Sequence, residues 1–352
     1  MPKPRSRPKA RPRARRPRWV GLADEDLLEW RLCDLRLTLA GSAVAPRVRR
    51  LMQELRGKGI TLRPDVWIAT DWFSPDDVPG IAVPFFVAHP RLARLEAAQM
   101  GEVEGGTALG CMQLLRHEAG HAIDHAYLLH DRDDWRSTFG RYSQPYRWSY
   151  RPRPYSRSYV KHLDQWYAQS HPAEDFAETF AVWLTPRSGW RRRYAGWPAL
   201  AKLEYVDWLM AELPSLRVRS KKRARAEEVG GLRLTLGEYY AQKRARYLRD
   251  RSKAFDRDLR RLFAKRDGPR DGRMAADRFL RSVGPRIRRA VARWTGEFQY
   301  TVDRVLRDVV GRARELELVL DDNPRDATLD AAILLMVQTR NYVHSGYHRL
   351  LR

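Results

Sequence analysis

His117-Glu118-Ala119-Gly120-His121, followed downstream by Ala173-Glu174-Asp175-Phe176-Ala177-Glu178-Thr179-Phe180, decides how this chain reads. Residues four apart on a helix stand one turn above each other, so the imidazoles of His117 and His121 can reach a single ion. Glu118 sits beside them and can take a proton from water and return it to a leaving group. Two neutral imidazoles, one carboxylate and an open fourth position suit zinc, so Zn2+ is the expected cofactor. In the second segment Glu174 and Glu178 again share a face one turn apart, while Phe176, Phe180, Trp183 and Leu184 form a core stripe. One of the two glutamates is the expected third ligand. The other is placed to hydrogen-bond a ligating histidine and set its tautomer.

The neighbouring residues narrow the choice. An ordinary buried helix with hydrogen-bonded histidines would leave Glu118 an acid with no evident partner in a largely apolar helix. Asp124 is expected to orient a ligand or to cap a neighbouring loop, and His125 to be hydrogen-bonded or exposed rather than ligating. A site with a third histidine after a glycine is excluded, because Tyr127 stands at that spacing. Cys111 reads as a small core residue.

The HEAGHAID and AEDFAETF segments resemble the gluzincin branch of zinc peptidases, in particular lethal-factor-type catalytic domains and related zinc-binding metallopeptidase families. The resemblance covers these two segments and one tyrosine. It implies that Glu174 is the third ligand and that Glu178 is the second glutamate of the motif. Tyr167, seven residues before Glu174, takes the place of a tyrosine that hydrogen-bonds the substrate oxyanion; His171-Pro172 departs from the pattern. The implied activity is hydrolysis of peptide bonds by a metal-activated water, with a peptide or protein as substrate.

Composition bounds the rest. The 352 residues, 43% hydrophobic with 12 Trp, 15 Tyr and 10 Phe, suffice for two cores. Two cysteines, Cys33 and Cys111, exclude a disulfide framework and a thiolate zinc site. With no apolar run of membrane length and no secretory leader pattern, a cytoplasmic location is expected. The net charge of +24 raises a second reading, a nucleic-acid or anionic-surface binding protein with a structural or vestigial metal site. Its densest basic segments are the N-terminal arm and Arg217–Arg225, both expected to be solvated.

The expected fold class is α+β: a zincin-like domain with its active-site helix on a small sheet, followed by an all-α domain. Residues 1–18 read as a disordered basic arm, 19–215 as the catalytic domain, 216–234 as a basic linker and 235–352 as a helical bundle. Within this frame Asp24–Ala40 has the pattern of one amphipathic helix with Asp24 as N-cap, and Pro46 opens a second that Gly57 ends. Val66–Ala69 and Gly80–Val87 read as strands, the latter an edge strand because of Pro84, able to align an extended substrate. A long helix runs from Thr107 to His130. The aromatic stretch Asp131–Tyr159, including Tyr146–Tyr150, could cover a cleft. Helices are expected from Pro172 and over Pro198–Leu213, and Thr235 with Glu238 has the form of a capping box. Pro269 and Pro324 mark breaks in the last domain.

Overall fold

Two buried helices carry the motif segments. The first, Ala108–Tyr127, starts at Thr107, whose hydroxyl accepts from Gly110 N at 3.0 Å, and stops at Leu128, a left-handed residue with φ 52°. The second, Pro172–Leu184, has Pro172 in its first turn and is buried over its whole length. Helices apolar on all sides need neighbours on all sides, and these two cross at Gly120. A Cβ there would lie 2.9 Å from Ala177 Cα and 3.2 Å from Ala177 O. The small residues around the histidines therefore set how closely the two helices approach. Gly120→Ala is expected to destabilise the fold by about 1–3 kcal/mol through this overlap, measurable as a lower denaturant midpoint at unchanged m-value.

The chain is a mostly helical α+β protein, and its computed structural model describes residues 17–100, 103–146, 153, 155–248, 255–268, 271–295, 297, 299–321 and 323–344. Residues 1–16 of the basic arm, Arg147–Tyr150 of the aromatic stretch and Pro269 lie outside the described residues. The order is α1 Asp24–Leu28, α2 Ala45–Gly57, β1 Asp65–Ala69, β2 Gly80–Pro84, α3 Pro90–Met100 and α4 Ala108–Tyr127. Next come α5 Asp133–Phe139, α6 Pro172–Leu184, α7 Trp190–Arg193, α8 Ala199–Glu212 and α9 Leu236–Leu248. The last elements are α10 Asp256–Leu262, β3 Ala264–Lys265, α11 Ala276–Thr295, α12 Gln299–Glu315, β4 Leu318–Val319 and α13 Pro324–His344. No described helix is long and apolar enough to cross a membrane.

β1 and β2 form a parallel pair in the register Val66–Ile81 and Ile68–Val83, with Phe73 bridging Ala82 on the far side. Their alternation divides the side chains: Val66, Ile68, Ile81 and Val83 enter the main core, and Trp67, Ala69 and Ala82 pack under Phe73. The strand expected to reach Val87 ends at Pro84, and Phe85–Val87 turns as a 3-10 helix. The long helix expected to reach His130 ends at Tyr127, because Leu128 turns the chain.

The single helix expected over Asp24–Ala40 is a correction. α1 stops at Leu28 and a 3-10 turn occupies Leu32–Leu35. The backbone between them is taken by a distant segment: Leu32 N donates to Leu234 O, Cys33 N to Leu232 O and Leu236 N to Trp30 O, at 2.8–3.0 Å. These bonds replace the helical ones that the local pattern would have formed.

The basic segment after α8 lies against the first core. Arg219 pairs with Asp131, Lys222 with Asp77, and Arg225 with Asp65 and Glu228, while Trp67 Nε1 donates to Ala226 O. The basic residues of the segment are exposed, as expected, and three of them also have acidic partners. The capping box closes in both directions, Thr235 N to Glu238 Oε2 at 2.7 Å and Glu238 N to Thr235 Oγ1 at 3.1 Å. Leu236, Tyr239 and Tyr240 of α9 lie in the first core; the second core takes its first residue at Phe255 and includes Leu259, Phe279, Val305 and Leu335. That second unit also holds the short antiparallel pair β3–β4, so it is not purely helical.

Candidate metal centre

α4 and α6 bring His117, His121 and Glu174 together in a buried cluster, each offering one donor atom within 4.8 Å of the others. Glu174 Oε2 lies 3.0 Å from His117 Nε2 and 3.2 Å from His121 Nε2, and the two Nε2 atoms are 3.2 Å apart. Donor atoms around a tetrahedral ion with bonds of about 2.0–2.2 Å stand roughly 3.3–3.6 Å from one another. The cluster is therefore close to the size a zinc ion requires.

Glu178 decides the chemistry of His117. Its Oε1 accepts from His117 Nδ1 at 2.9 Å and its Oε2 from the backbone N–H of Leu163 at 2.8 Å, in a position with no solvent exposure. With the Nδ1 proton committed to Glu178, the lone pair of neutral His117 is on Nε2 and points at Glu174 and His121. That nitrogen, His121 Nε2 and the Glu174 carboxylate converge as three candidate ligand atoms, an arrangement a cation stabilises. The titration behaviour agrees. Burial pushes the His117 pKa down, but hydrogen bonds and charges from Glu174 and Glu178 outweigh it and hold it well above the usual histidine value. For Glu174 burial pushes upward, and the two histidines carry it well below the usual carboxylate range. The cluster attracts positive charge, whether a proton or a metal ion.

Glu118 is buried on α4 and makes no hydrogen bond or ion pair recorded among the described residues. Burial raises its pKa, opposed by the charges of His117 and His121. A raised, structurally uncommitted carboxyl next to the donors suits proton transfer.

Two tyrosines border the cluster. The ring of Tyr167, in the 3-10 turn Asp164–Gln169, lies 5.6 Å from that of His117 at 55°. Its segment is tied down by Glu178 through Leu163 N, and by His162 and Gln113, which exchange hydrogen bonds at 2.9 and 3.0 Å. Tyr146 is the residue that sequence reasoning did not place in the site. Its hydroxyl donates to Glu174 Oε1 at 2.9 Å and its ring stacks on His171 at 3.8 Å. His171 in turn accepts from Ala173 N through Nδ1, capping α6, and donates from Nε2 to Gln144 O at 2.8 Å. The signal was present only as the aromatic stretch expected to cover a cleft, and nothing in its spacing selects Tyr146. Tyr146→Phe is expected to weaken metal retention about tenfold, the usual size of a lost bond to a ligating carboxylate. Competition with a chromogenic zinc chelator would measure it, with unchanged affinity as the contrary result.

Asp124 lies on His130 and not on a candidate ligand: its carboxylate accepts from His130 N at 2.9 Å and from His130 Nδ1 at 3.0 Å, closing the turn after α4. His125 is stacked 6.1 Å from His121 and meets Tyr142 Oη at 3.1 Å; burial lowers its pKa to about 4, so it stays neutral. Cys111 is fully buried.

Fold and site together define a protein with a buried His/His/Glu cluster of the kind that holds a metal ion in hydrolases. Residues 95–189, which span both motif helices, match the family described as "Putative zinc-binding metallo-peptidase". Neither a curated protein nor a solved structure matches the chain.

Proposed function

We propose that this chain is a zinc-dependent peptidase of gluzincin type, in a zincin-like domain, with His117, His121 and Glu174 as ligands. The observation that carries the reading is the convergence of three candidate ligand atoms at 3.0–3.2 Å beside a buried Glu118 that makes no hydrogen bond among the described residues. A zinc ion held there would polarise the substrate carbonyl and bring the pKa of a water to about 7. Glu118 takes the proton of the attacking water on its carboxylate and delivers it to the leaving amine. Its raised pKa favours holding that proton between the two steps. Glu178 keeps His117 in the tautomer with Nε2 free, and Tyr146 orients Glu174. Tyr167, held against His117 by the Leu163–Glu178 bond, is the donor toward the developing oxyanion.

The substrate is a peptide or protein segment; β2, paired with β1 and bridged by Phe73, does not serve as the edge that would align it. The test is metal analysis of the purified chain together with cleavage of unfolded casein. About one zinc per chain is expected, with cleavage stopped by 1,10-phenanthroline and restored by added zinc. A chain that binds no zinc, or cleavage indifferent to the chelator, would overturn the reading.

A further inference from the structure

α13 is apolar on two faces. Ala327, Ala331, Leu334, Leu335 and Thr339 turn into the second core. On the other side Leu329 is 64% exposed, Ile333 46%, Met336 36% and Val337 44%. A water-facing stripe of this kind on a helix already packed by its opposite face marks a contact surface. Its layout says what covers it. Leu329 and Val337 each lie four residues from Ile333, and Asp326 and Arg340 each lie seven residues from it. At about 100° per residue all five fall within roughly 40° of one line along the helix. Asp326 and Arg340 are exposed, and neither enters an ion pair among the described residues. Along that line the exposed side chains are symmetric in apolar groups and antisymmetric in charge about Ile333, while about 60° off it Met336 has exposed Asp330 as its mate.

We propose that α13 pairs antiparallel with α13 of a second copy of this chain, across a two-fold axis at Ile333. That operation sets Leu329 on the partner's Val337 and Asp326 on the partner's Arg340, and repeats both contacts in reverse, as an isologous interface requires. A parallel pair would instead set Asp326 beside Asp326 and Arg340 beside Arg340. The charge pattern selects the antiparallel form. The contact is well below the roughly 800 Å² per partner of a standard interface, so the association is weak, about micromolar. The net charge of +24 opposes it at low salt, and about 0.15 M salt screens that repulsion beyond roughly 8 Å.

Sedimentation equilibrium of the full chain at about 0.15 M salt tests the proposal. A monomer–dimer equilibrium is expected, and Ile333→Glu should raise its dissociation constant at least about tenfold, with the circular dichroism spectrum and melting temperature retained. Asp326→Arg should weaken the dimer about 2–5-fold, and adding Arg340→Asp to it should restore the affinity. Mixed oxidation of Leu329→Cys with Val337→Cys chains should give the heterodisulfide in excess of either homodisulfide. A chain that stays monomeric at about 100 μM, or a dimer unaffected by Ile333→Glu, would overturn the proposal. So would preferred Leu329→Cys homodisulfides, which report a parallel pair or another surface.

Discussion

Glu118→Gln is expected to keep its full complement of zinc and to lose hydrolysis by at least about 10³-fold in kcat, the upper range for removal of a general acid–base. The argument rests on what Glu118 does not do. It makes no hydrogen bond among the described residues, while His117 is held to Glu178 at 2.9 Å and to Glu174 at 3.0 Å, and His121 to Glu174 at 3.2 Å. An isosteric amide therefore leaves the donor cluster and the packing of α4 on α6 in place. It removes only the ability to hold a proton, and it relieves the burial that raises the carboxyl pKa, so stability should be unchanged or slightly higher. Zinc content, melting temperature and casein cleavage measured on the same preparation separate these effects. Cleavage at the wild-type rate would remove Glu118 from the chemistry.

His117→Ala is expected to have the largest effect on the metal, taking zinc from about one per chain to near zero, and on stability. Glu178 would keep Leu163 N but lose its hydrogen-bond donor at Oε1, and Glu174 would lose one of its two histidines. Stranding a buried carboxylate in this way costs about 3–5 kcal/mol. The loss should appear as a lower melting temperature than wild type whether zinc or a chelator is added. Glu178→Gln is the milder comparison. His117 Nδ1 and Leu163 N donate to different oxygens of Glu178, and the amide replaces one of these with a donor, so zinc affinity should fall about 10–100-fold with Glu174 and His121 unaltered. Zinc content equal to wild type in His117→Ala would refute the ligand set.

The motif helices could be read locally because their signals are local. Histidines one turn apart, a proline in a first turn and a capping box act over three or four residues, and α4, α6 and the start of α9 appear near where those signals fall. The errors fall where distant chain competes for the backbone. Asp24–Ala40 has a helical pattern throughout, yet Trp30, Leu32 and Cys33 hydrogen-bond to residues 232–236. No periodicity within forty residues can report a partner two hundred residues away. The basic residues of Arg217–Arg225 are exposed, as the composition of the segment suggests, but their pairing with Asp65, Asp77 and Asp131 arises only in the folded chain.

By itself the sequence determined which side chains could form the cluster: two histidines and a glutamate on one helix, two more glutamates on another, each pair at one-turn spacing. Only the tertiary structure decided that Glu174 faces both histidines while Glu178 takes the Nδ1 side of His117. It also brought Tyr146 from the loop onto Glu174 and turned Asp124 away to His130. The physical reason is that helical spacing sets which residues share a face, whereas the crossing of two helices sets which atom of that face meets which. Here that crossing is fixed by the contact of Gly120 with Ala177.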